Sequence, residues 1–347
     1  MKKLRVGVVG AGNIACSAHL PAYQALSEVA EVVAIADKNL DRAWEMAAKF
    51  GIPQAFDSTE ALLAGADVDM IDVCVWNHAH AEVVCASAEA GKAILCEKPL
   101  ADSLESARRI EAKVKGAGVP FMCAMSARWS PAAQLLKAMI EAGELGNIYY
   151  AKTGYIRRRG TPIGWFTDKS KSGGGPVIDI GVHNIDCTWF LMGRPKPTRV
   201  SASIYSPIGN FKTRGVSRWQ AVDSDVTAFD TEDSATALIH FENGATMFVE
   251  VSWAINLPDR RYTEIVGDKA GASLDPFVIY GENAQHYLTD NYPVTFKTNN
   301  YEQEIGHFIR CLNTGETPIS PLADGLYVQT MLDAIYTSAR LGREIEL

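Results

Sequence analysis

The sequence predicts an α/β protein with two domains. The first is built on a doubly wound parallel sheet, and the second is an α+β domain with a large open, mostly antiparallel sheet. Three observations predict this: strands alternate with helix-length segments up to about residue 125, a glycine-rich motif follows the first strand, and strand and hairpin patterns fill residues 198–298. Because 347 residues suffice for about two domains, we place these at residues 1–125 and 126–347.

Continuous apolar runs predict the strands of the first domain, as expected for strands that are buried on both faces of a sheet. LRVGVV, residues 4–9, is the first of them. Pro21 should kink or split the helix that follows, because proline removes a backbone hydrogen bond. The predicted strands cover residues 4–9, 31–36, 69–75, 93–96 and 119–125, and the predicted helices cover 13–27, 40–50, 79–90 and 103–115.

The pattern changes after about residue 126. A helix over 131–142 leads into the strand-like segment 147–159, and hairpin signals follow, such as the Asn-Gly turn in HFENGATMF. A last helix over 321–341 has apolar residues at helical spacing, and we expect it to pack back toward the first domain. The second half is therefore predicted to be a mostly antiparallel sheet with helices.

Composition and charge exclude several classes of function. A net charge of −8 argues against a nucleic-acid partner and an anionic membrane surface, since both attract clustered Lys and Arg. Glycines interrupt the apolar run of the start, MKKLRVGVVGAGN, so we expect no signal peptide, and no run of about 18 apolar residues predicts a membrane span. Seven irregularly spaced cysteines predict reduced thiols and a cytoplasmic location.

The segment GAGNIA, residues 10–15, has the form G-x-G-x-x-A between a predicted strand and a predicted helix. Gly10 and Gly12 permit a tight turn and the close approach of a pyrophosphate to the helix N-terminus, where Asn13 and Ile14 lie. Taken alone, the pattern also suits any glycine-rich turn. Here the turn follows a strand and precedes a helix, and a second strand that ends in an acid comes next. In this order the pattern predicts a dinucleotide-binding Rossmann domain.

An acid ends the second predicted strand, where a dinucleotide-binding domain contacts the adenosine ribose. Asp37 would accept hydrogen bonds from the ribose hydroxyls and would repel a 2′-phosphate, so the sequence favours NAD over NADP. Lys38 weakens this preference, because its charge suits a phosphate. We therefore predict NAD as the cofactor, with Asp37 and Lys38 beside it.

The turn CEKPLA, residues 96–101, begins at the end of the strand 93–96. Ligands of open α/β sheets bind outside the carboxyl ends of the strands, so Lys98 emerges where a substrate would lie. Pro99 fixes the direction of the chain there. A solvent-exposed lysine with a proline at a helix entry explains the same residues, and position alone does not decide between the two interpretations.

The segment GGGPVIDIGVHNIDCTWF, residues 173–190, predicts an apolar helix that nevertheless contains two acids and a histidine. At about 100° per residue, Asp179, His183 and Asp186 fall on one stripe between apolar flanks, which favours a cleft with a polar ligand. The i, i+4 spacing lets Asp179 hydrogen-bond His183, and a neighbouring carboxylate raises a histidine pKa. A structural histidine paired with aspartate in the core remains the alternative.

Taken together, the GAGNIA turn, the Glu-Lys-Pro turn and the glycine-rich start of the segment 173–190 resemble the Gfo/Idh/MocA oxidoreductases over nearly the whole chain. This resemblance implies an N-terminal Rossmann domain and a C-terminal domain with an open antiparallel sheet. It implies oxidation or reduction of a hydroxyl on a sugar, polyol or related ring, with Lys98, Asp179 and His183 as the catalytic, substrate-binding group. It also implies a homodimer or homotetramer, for which the exposed face of the C-terminal sheet is suited.

The resemblance implies further cofactor contacts. Many members have Thr-Pro or Ser-Pro, which contacts the cofactor, where this sequence has Trp76 and Asn77 followed by His78. His80 matches a histidine that often follows in the family. Outside the glycine-rich turn and the acid that ends the second strand, we therefore expect cofactor contacts from Trp76, Asn77, His80, Glu97 and Lys98.

Other polar and aromatic residues are candidates for substrate contacts. Arg128 follows the strand 119–125 near the carboxyl edge of the sheet, so we expect it to touch ligand. Tyr155 and Trp165 would stack on the apolar face of a sugar, although a core role explains them equally well. For the arginines at 157–159 we favour a solvated face or a subunit salt bridge over an acidic substrate group.

No metal site is predicted. His78 and His80 lie two apart on a helix and face different directions, and no cysteine or acid completes a ligand set.

The sequence leaves three hypotheses of function. The leading hypothesis is an NAD-dependent dehydrogenase that acts on a secondary hydroxyl of a sugar, a glycoside or an inositol-like cyclic polyol. An NAD-dependent glycosidase would oxidise its substrate transiently, eliminate the aglycone and reduce the product again. A protein that senses NAD(H) without chemistry would not need Lys98 and would usually carry a DNA-binding segment, which the sequence does not show.

Overall fold

The computed structural model describes residues 2–221 and 228–347. Its first sheet has six parallel strands, and these are β1 (Leu4–Val9), β2 (Ala30–Ala36), β3 (Gln54–Phe56), β4 (Met70–Val73), β5 (Ala93–Glu97) and β6 (Phe121–Ala124). Their spatial order is β3-β2-β1-β4-β5-β6, which is the order of a Rossmann fold. The predicted doubly wound parallel sheet is confirmed.

The helices of this half follow the predicted alternation. They are α1 (Leu20–Ala25), α2 (Leu40–Phe50), α3 (Thr59–Gly65), α4 (His80–Glu89) and α5 (Leu104–Ala117). The helix predicted over 13–27 is divided, because a π-helical turn at Ala15–His19 precedes α1 and Pro21 lies in the first turn of α1. The sequence analysis missed β3 and α3, which are three and seven residues long and too short to show a periodic pattern.

The second sheet has nine strands in the described residues. They are β7 (Ile148–Ile156), β8 (Pro197–Tyr205), β9 (Ser234–Phe241), β10 (Thr246–Ser252), β11 (Arg260–Gly267), β12 (Gly271–Leu274), β13 (Phe277–Glu282), β14 (Leu288–Asn291) and β15 (Ile345–Glu346). The spatial order is β14-β13-β12-β11-β7-β10-β9-β8-β15. Only the β7–β10 pair is parallel among the described strands of this second sheet, so the large, mostly antiparallel sheet is also confirmed.

Five helices accompany this sheet in the described part of the chain: α6 (Pro131–Glu141), α7 (Lys169–Ser172), α8 (Val182–Leu191), α9 (Asn300–Thr314) and α10 (Leu322–Leu341). A π-helical turn, Val177–Gly181, precedes α8. Helix α10 contacts β8 and also α5 and β6 of the first half, whereas α9 packs against α1. None of the helices described combines the length and the apolarity that a bilayer-spanning segment needs.

The two halves meet at the carboxyl edge of the parallel sheet. Helix α8 covers one face of the nine-stranded sheet, and Asn184 anchors it there by donating hydrogen bonds to Thr153 Oγ1 (3.0 Å) and to the backbone carbonyl of Gly154 (3.1 Å). The turn after β5 faces the π-helical turn that precedes α8. This arrangement brings Lys98 of the first half to Asp179 of the second.

Candidate active site

A cavity of about 310 Å³ opens where β1, β2 and β4 end, and it is lined by Gly10, Gly12, Asp37 and Lys38, for which the sequence predicts cofactor contacts. Gly10 has a φ of 102°, and a Cβ atom there would collide with the backbone carbonyl of Cys74, so only glycine fits. A Cβ atom on Gly12 would meet nothing within 4 Å. The first glycine therefore shapes the turn and the second leaves room for a ligand, as a bound pyrophosphate requires.

The carboxylate of Asp37 ties this turn to the end of β2. Its Oδ2 accepts a hydrogen bond of 2.7 Å from the backbone N–H of Ala11, and its Oδ1 accepts one of 2.9 Å from that of Asn39. Arg42 also lines the cavity and donates to the carbonyl of Ala11 (2.8 Å). The sequence analysis missed Arg42, which lies in the first turn of α2, shortly after the predicted acid. Half-buried Asn13 and Ile14 continue the motif into the helical segment.

Two tryptophans connect the cofactor cavity with the second domain. Trp76 lines the cavity, and its ring stacks on that of Trp165 with centroids 5.5 Å apart and an interplanar angle of 16°. Asn77 is buried and donates a 2.7 Å hydrogen bond to the carbonyl of Ser172, so it joins the domains. His78 also lines the cavity, and its buried Nδ1 has no partner among the residues described. The sequence analysis had considered His78 only as a metal ligand.

The predicted cofactor contact of His80 is not supported. Its side chain is fully buried, Nδ1 lies 2.8 Å from the carbonyl of Pro99, and Nε2 lies 3.1 Å from that of Val75. Burial lowers the pKa of His80, which keeps the ring neutral. Both nitrogens face backbone, so this histidine supports the Glu-Lys-Pro turn from behind.

Glu97 likewise faces the interior and not the cofactor. Its Oε1 lies 2.9 Å from Nε2 of the fully buried His19, whose Nδ1 lies 2.7 Å from Asp72 Oδ2. Burial alone would lower the pKa of His19, but the charges of Asp72 and Cys74 and the hydrogen bonds to them together outweigh burial, and the pKa lies well above its usual value. Glu97 Oε2 accepts a 3.0 Å hydrogen bond from the backbone N–H of Lys98. Glu97 therefore positions the lysine, and His19 and Asp72 hold Glu97.

Lys98 and Asp179 meet between the domains. Lys98 Nζ donates a 3.1 Å hydrogen bond to the backbone carbonyl of Asp179 and lies 3.8 Å from its Oδ1. The other carboxylate oxygen accepts a 3.0 Å hydrogen bond from Trp253 Nε1. Both side chains are only about one-sixth exposed, 16% for the lysine and 15% for the aspartate. Two residues that are distant in sequence thus form a charged pair at the edge of the cleft.

The structure corrects the expected bond between Asp179 and His183. Within residues 2–221 and 228–347 the imidazole of His183 has no hydrogen-bond partner, and the aspartate is bonded to Trp253 instead. The π-helical turn Val177–Gly181 explains the difference, because its wider turn rotates Asp179 away from the stripe calculated for an α-helix. The aspartate and the histidine still lie on successive turns.

The pKa of His183 shifts in the opposite direction to the one expected. Burial holds it well below its usual value, and the positive charges of Lys98, Arg261 and Arg157 lower it further. The ring is therefore neutral at physiological pH. A neutral imidazole without a hydrogen-bond partner can accept a proton from a ligand.

The predicted ligand contact of Arg128 is contradicted. Its side chain has no exposed surface, and it donates to both carboxylate oxygens of Asp186, at 2.9 and 2.6 Å. A further 2.7 Å hydrogen bond goes to Asp324 Oδ2 on α10. Asp186, which belonged to the predicted cleft stripe, is buried in this ion-pair network. A buried helix holds this acid because a buried arginine neutralises it.

The two aromatic candidates lie on the second domain. Tyr155 is half-buried on the face of β7 that α8 covers, since it is two residues after Thr153 on that strand. Trp165 is 8% exposed and lies between the rings of Trp76 and Phe166. Their positions are compatible with the expected wall of a sugar site.

A glycine-rich cofactor cavity beside a lysine, an acid and a neutral histidine defines a two-domain oxidoreductase that uses a nicotinamide dinucleotide. Comparison with known proteins makes this specific. Residues 4–125 match the family model of the Gfo/Idh/MocA oxidoreductases with an NAD-binding Rossmann fold, and residues 133–273 match the C-terminal domain of the same family. The chain belongs to the Gfo/Idh/MocA family, and the predicted enzyme class is confirmed.

Individual relatives cover most of the chain. It is 32% identical to D-glucoside 3-dehydrogenase of Escherichia coli over 99% of its length and 97% of that protein, and 31% identical to levoglucosan dehydrogenase of Pseudarthrobacter phenanthrenivorans over 73% and 68%. A solved structure of a levoglucosan dehydrogenase in complex with NADH superposes with a TM-score of 0.87 and 25% identity, over 99% of both chains.

Proposed function

We propose that this protein is an NAD-dependent dehydrogenase that transfers hydride between the nicotinamide and a secondary hydroxyl of a sugar or glycoside. The observation that carries the proposal is the contact of Lys98 with Asp179 beside the cofactor cavity, with the neutral, unpartnered His183 on the next helical turn. Such a group can hold a hydroxyl, accept its proton and stabilise the negative charge that develops on its oxygen.

Each side chain has a distinct role in this proposal. When bound, the nicotinamide would supply the hydride acceptor. The ammonium of Lys98 polarises the reacting hydroxyl and stabilises its developing alkoxide. His183 accepts the hydroxyl proton. Asp179, held by Trp253, anchors Lys98 and offers an acceptor to a neighbouring hydroxyl of the substrate.

The kind of substrate and the cofactor preference are part of the proposal. A glycoside or anhydrosugar is favoured over an inositol-like polyol, because the two relatives reported above are named for such substrates. Tyr155 and Trp165 supply aromatic surface of the kind on which pyranose rings stack. Asp37 at the end of β2 favours NAD over NADP, although Lys38 and Arg42 beside it also line the cavity.

We also propose a cytoplasmic homo-oligomer. All seven cysteines are free, as in proteins of reducing compartments. Tyr150, Leu238 and Phe248 remain half-buried on the face of the nine-stranded sheet that is turned away from α8, which suits pairing of two copies. Light scattering of the purified protein measures the number of copies directly.

A substrate panel tests the function. The enzyme is incubated with NAD or NADP and with methyl glucosides, levoglucosan and inositols, while absorbance reports reduced cofactor and chromatography reports released aglycone. Net NADH with a glycoside supports the proposal. Aglycone release without net NADH would instead identify a glycosidase. Tight NADH binding with no turnover of any compound would identify a sensor.

A further inference from the structure

Two arginines lie against one tyrosine ring on the face of the nine-stranded sheet that α8 covers. The guanidinium carbon of Arg157 is 4.7 Å from the centroid of the Tyr155 ring, and that of Arg261 is 5.2 Å from the same centroid. Arg157 also donates a 3.1 Å hydrogen bond to Tyr155 Oη. Arg261 is the register partner of Tyr155 across the β7–β11 ladder, so the sheet itself holds both cations at one place.

Neither arginine forms an ion pair with a carboxylate in the described parts of the chain, 2–221 and 228–347. The neighbouring Arg260, on the opposite face of β11, lies 3.5 Å from Glu250 Oε2. Two cations around one ring repel each other, and the face of a phenol ring offsets this only in part. An anion that contacts both guanidinium groups would relieve the repulsion.

The arginine pair lies next to the reacting end of the cleft. Arg261 and His183 both line a cavity of about 330 Å³, in which Thr263, two residues further along β11, faces the same way. The other charged residues that line it are Lys297 and Asp275. The cations also act on the histidine, because after burial and together with Lys98 they hold its pKa well below the usual value.

We propose that Arg157 and Arg261, which both contact the Tyr155 ring, form a subsite for the carboxylate of an acidic sugar, such as a hexuronic acid glycoside. The proposal rests on the dehydrogenase function proposed above and names its substrate class. Guanidinium groups bind planar carboxylates through paired, charge-assisted hydrogen bonds. A carboxylate bound there would orient the sugar ring with a hydroxyl toward His183 and Lys98.

The test compares two substrates that differ only in this group. Methyl β-D-glucopyranoside and its uronic acid, methyl β-D-glucopyranosiduronate, are assayed with NAD, and the quantity compared is the ratio of kcat/KM for the acid to kcat/KM for the neutral sugar. We expect a ratio above one for the wild type. In Arg157→Gln and in Arg261→Gln it should fall roughly tenfold, because each removes one charge-assisted interaction. Arg260→Gln, on the other face of the same strand, should leave it unchanged.

The possible outcomes distinguish a failure of the carboxylate subsite from a failure of the proposed dehydrogenase function. A wild-type ratio at or below one, or an equal ratio in Arg261→Gln and Arg260→Gln, would overturn the subsite while leaving the dehydrogenase function intact. Stronger use of the 6-phosphate of the neutral glycoside than of the uronide would overturn the assignment to a carboxylate. If neither sugar is oxidised, the dehydrogenase function fails, and a titration of the NADH complex with the uronide by tryptophan fluorescence still decides the subsite. Saturable binding that Arg261→Gln weakens and Arg260→Gln does not would support it, and absence of binding would overturn it.

Discussion

Lys98 Nζ lies 3.1 Å from the backbone carbonyl oxygen of Asp179 and 3.8 Å from its carboxylate oxygen Oδ1. The lysine follows the last residue of β5 in the cofactor domain, and the aspartate belongs to the π-helical turn of the other domain. The contact therefore couples the cofactor cavity to the helix that bears His183. A substrate hydroxyl that enters between the domains would meet a cation and a neutral base together.

Removal of the lysine should affect chemistry more than cofactor binding. Lys98→Ala should lower kcat by roughly two to three powers of ten, because the alkoxide loses its stabilising charge. The dissociation constant of NADH, measured by fluorescence titration, should stay near that of the wild type. Lys115→Ala, which removes an exposed lysine on α5, is the matched control and should keep both values. A near-normal kcat in Lys98→Ala would return this residue to a surface role.

The base should titrate below the usual range of histidine. Because burial and nearby cations hold the pKa of His183 well below 6.5, the oxidation rate should stay level near neutrality. It should fall only at pH values clearly below 6.5, as the ring gains a proton. His183→Ala should lower kcat by roughly two powers of ten or more and remove this acidic limb from the pH profile.

His286→Ala, at an exposed histidine beside Glu282, is the control for this profile and should retain the limb. Asp179→Asn should lower kcat less than His183→Ala does and should leave the limb near its wild-type pH, because the carboxylate contacts Trp253 and Lys98 and not the imidazole. If His183→Ala keeps both rate and limb, another group is the base.

The fold follows from the sequence because its elements are local and strongly patterned. Strand β1 lies where the LRVGVV run predicted it, and α2, which begins after the capping residue Asn39 and ends before Gly51, has its predicted bounds. The site follows less completely. Lys98 follows the end of β5, where the sequence put it, and its catalytic role stays a prediction. Arg128 could not be placed from the sequence, since its partner Asp324 is 196 residues away.

The π-helical turn shows why the 100° per residue of an α-helix does not predict where the side chains of a short segment lie. Nothing in VIDIG distinguishes a π-helical from an α-helical turn, and the bond of Asp179 to Trp253 depends on a residue that follows β10, 74 positions later in the sequence. The contact of Glu97 with His19 could not be predicted from the sequence either. An acid beside a strand end is interpreted as a cofactor contact unless its buried partner is known.

The acid at the end of β2 should set the cofactor preference. Asp37→Ser should reduce the preference for NAD over NADP, measured as the ratio of kcat/KM values, roughly tenfold, because it removes the repulsion of a 2′-phosphate. Asp41→Ser, in the first turn of α2, is the control and should keep the ratio. A wild-type enzyme that uses NADP as well as NAD would refute this role of Asp37.

Arg128 should matter for stability and not for substrate binding. Arg128→Leu leaves Asp186 and Asp324 without their buried partner, so the free energy of unfolding in urea should fall by about 3–5 kcal/mol. Arg199→Leu removes an exposed ion pair with Glu344 and should cost no more than about 1 kcal/mol. A raised KM with unchanged stability in Arg128→Leu would mean that this arginine contacts the substrate after all.

Buried His19, which contacts Glu97 of the Glu-Lys-Pro turn, should make the free energy of unfolding fall at alkaline pH. His19 lies between Asp72 and Glu97, and its pKa is raised well above 6.5, so the native state holds a proton that the unfolded chain releases above about pH 6.5. The stabilising contribution of protonated His19 is complete at pH values below the pKa of this residue in the unfolded chain. It is lost as the pH rises through the pKa of His19 in the folded protein. In that window the free energy of unfolding should drop by up to about 1.4 kcal/mol per pH unit relative to His19→Gln.

Urea denaturation of the wild type and of His19→Gln at several pH values between 6 and 9 measures this difference. Burial raises the pKa of Glu304 well above its usual value and the charge of His19 opposes that shift, so the difference between the two proteins reports His19 together with its coupling to Glu304. His286→Gln, at an exposed site, should run parallel to the wild type. Parallel pH curves for wild type and His19→Gln would mean that His19 is neutral in the fold. The series of contacts from Asp72 through His19 and Glu97 to the backbone N–H of Lys98 would then hold the lysine by hydrogen bonds alone, without a charged imidazolium.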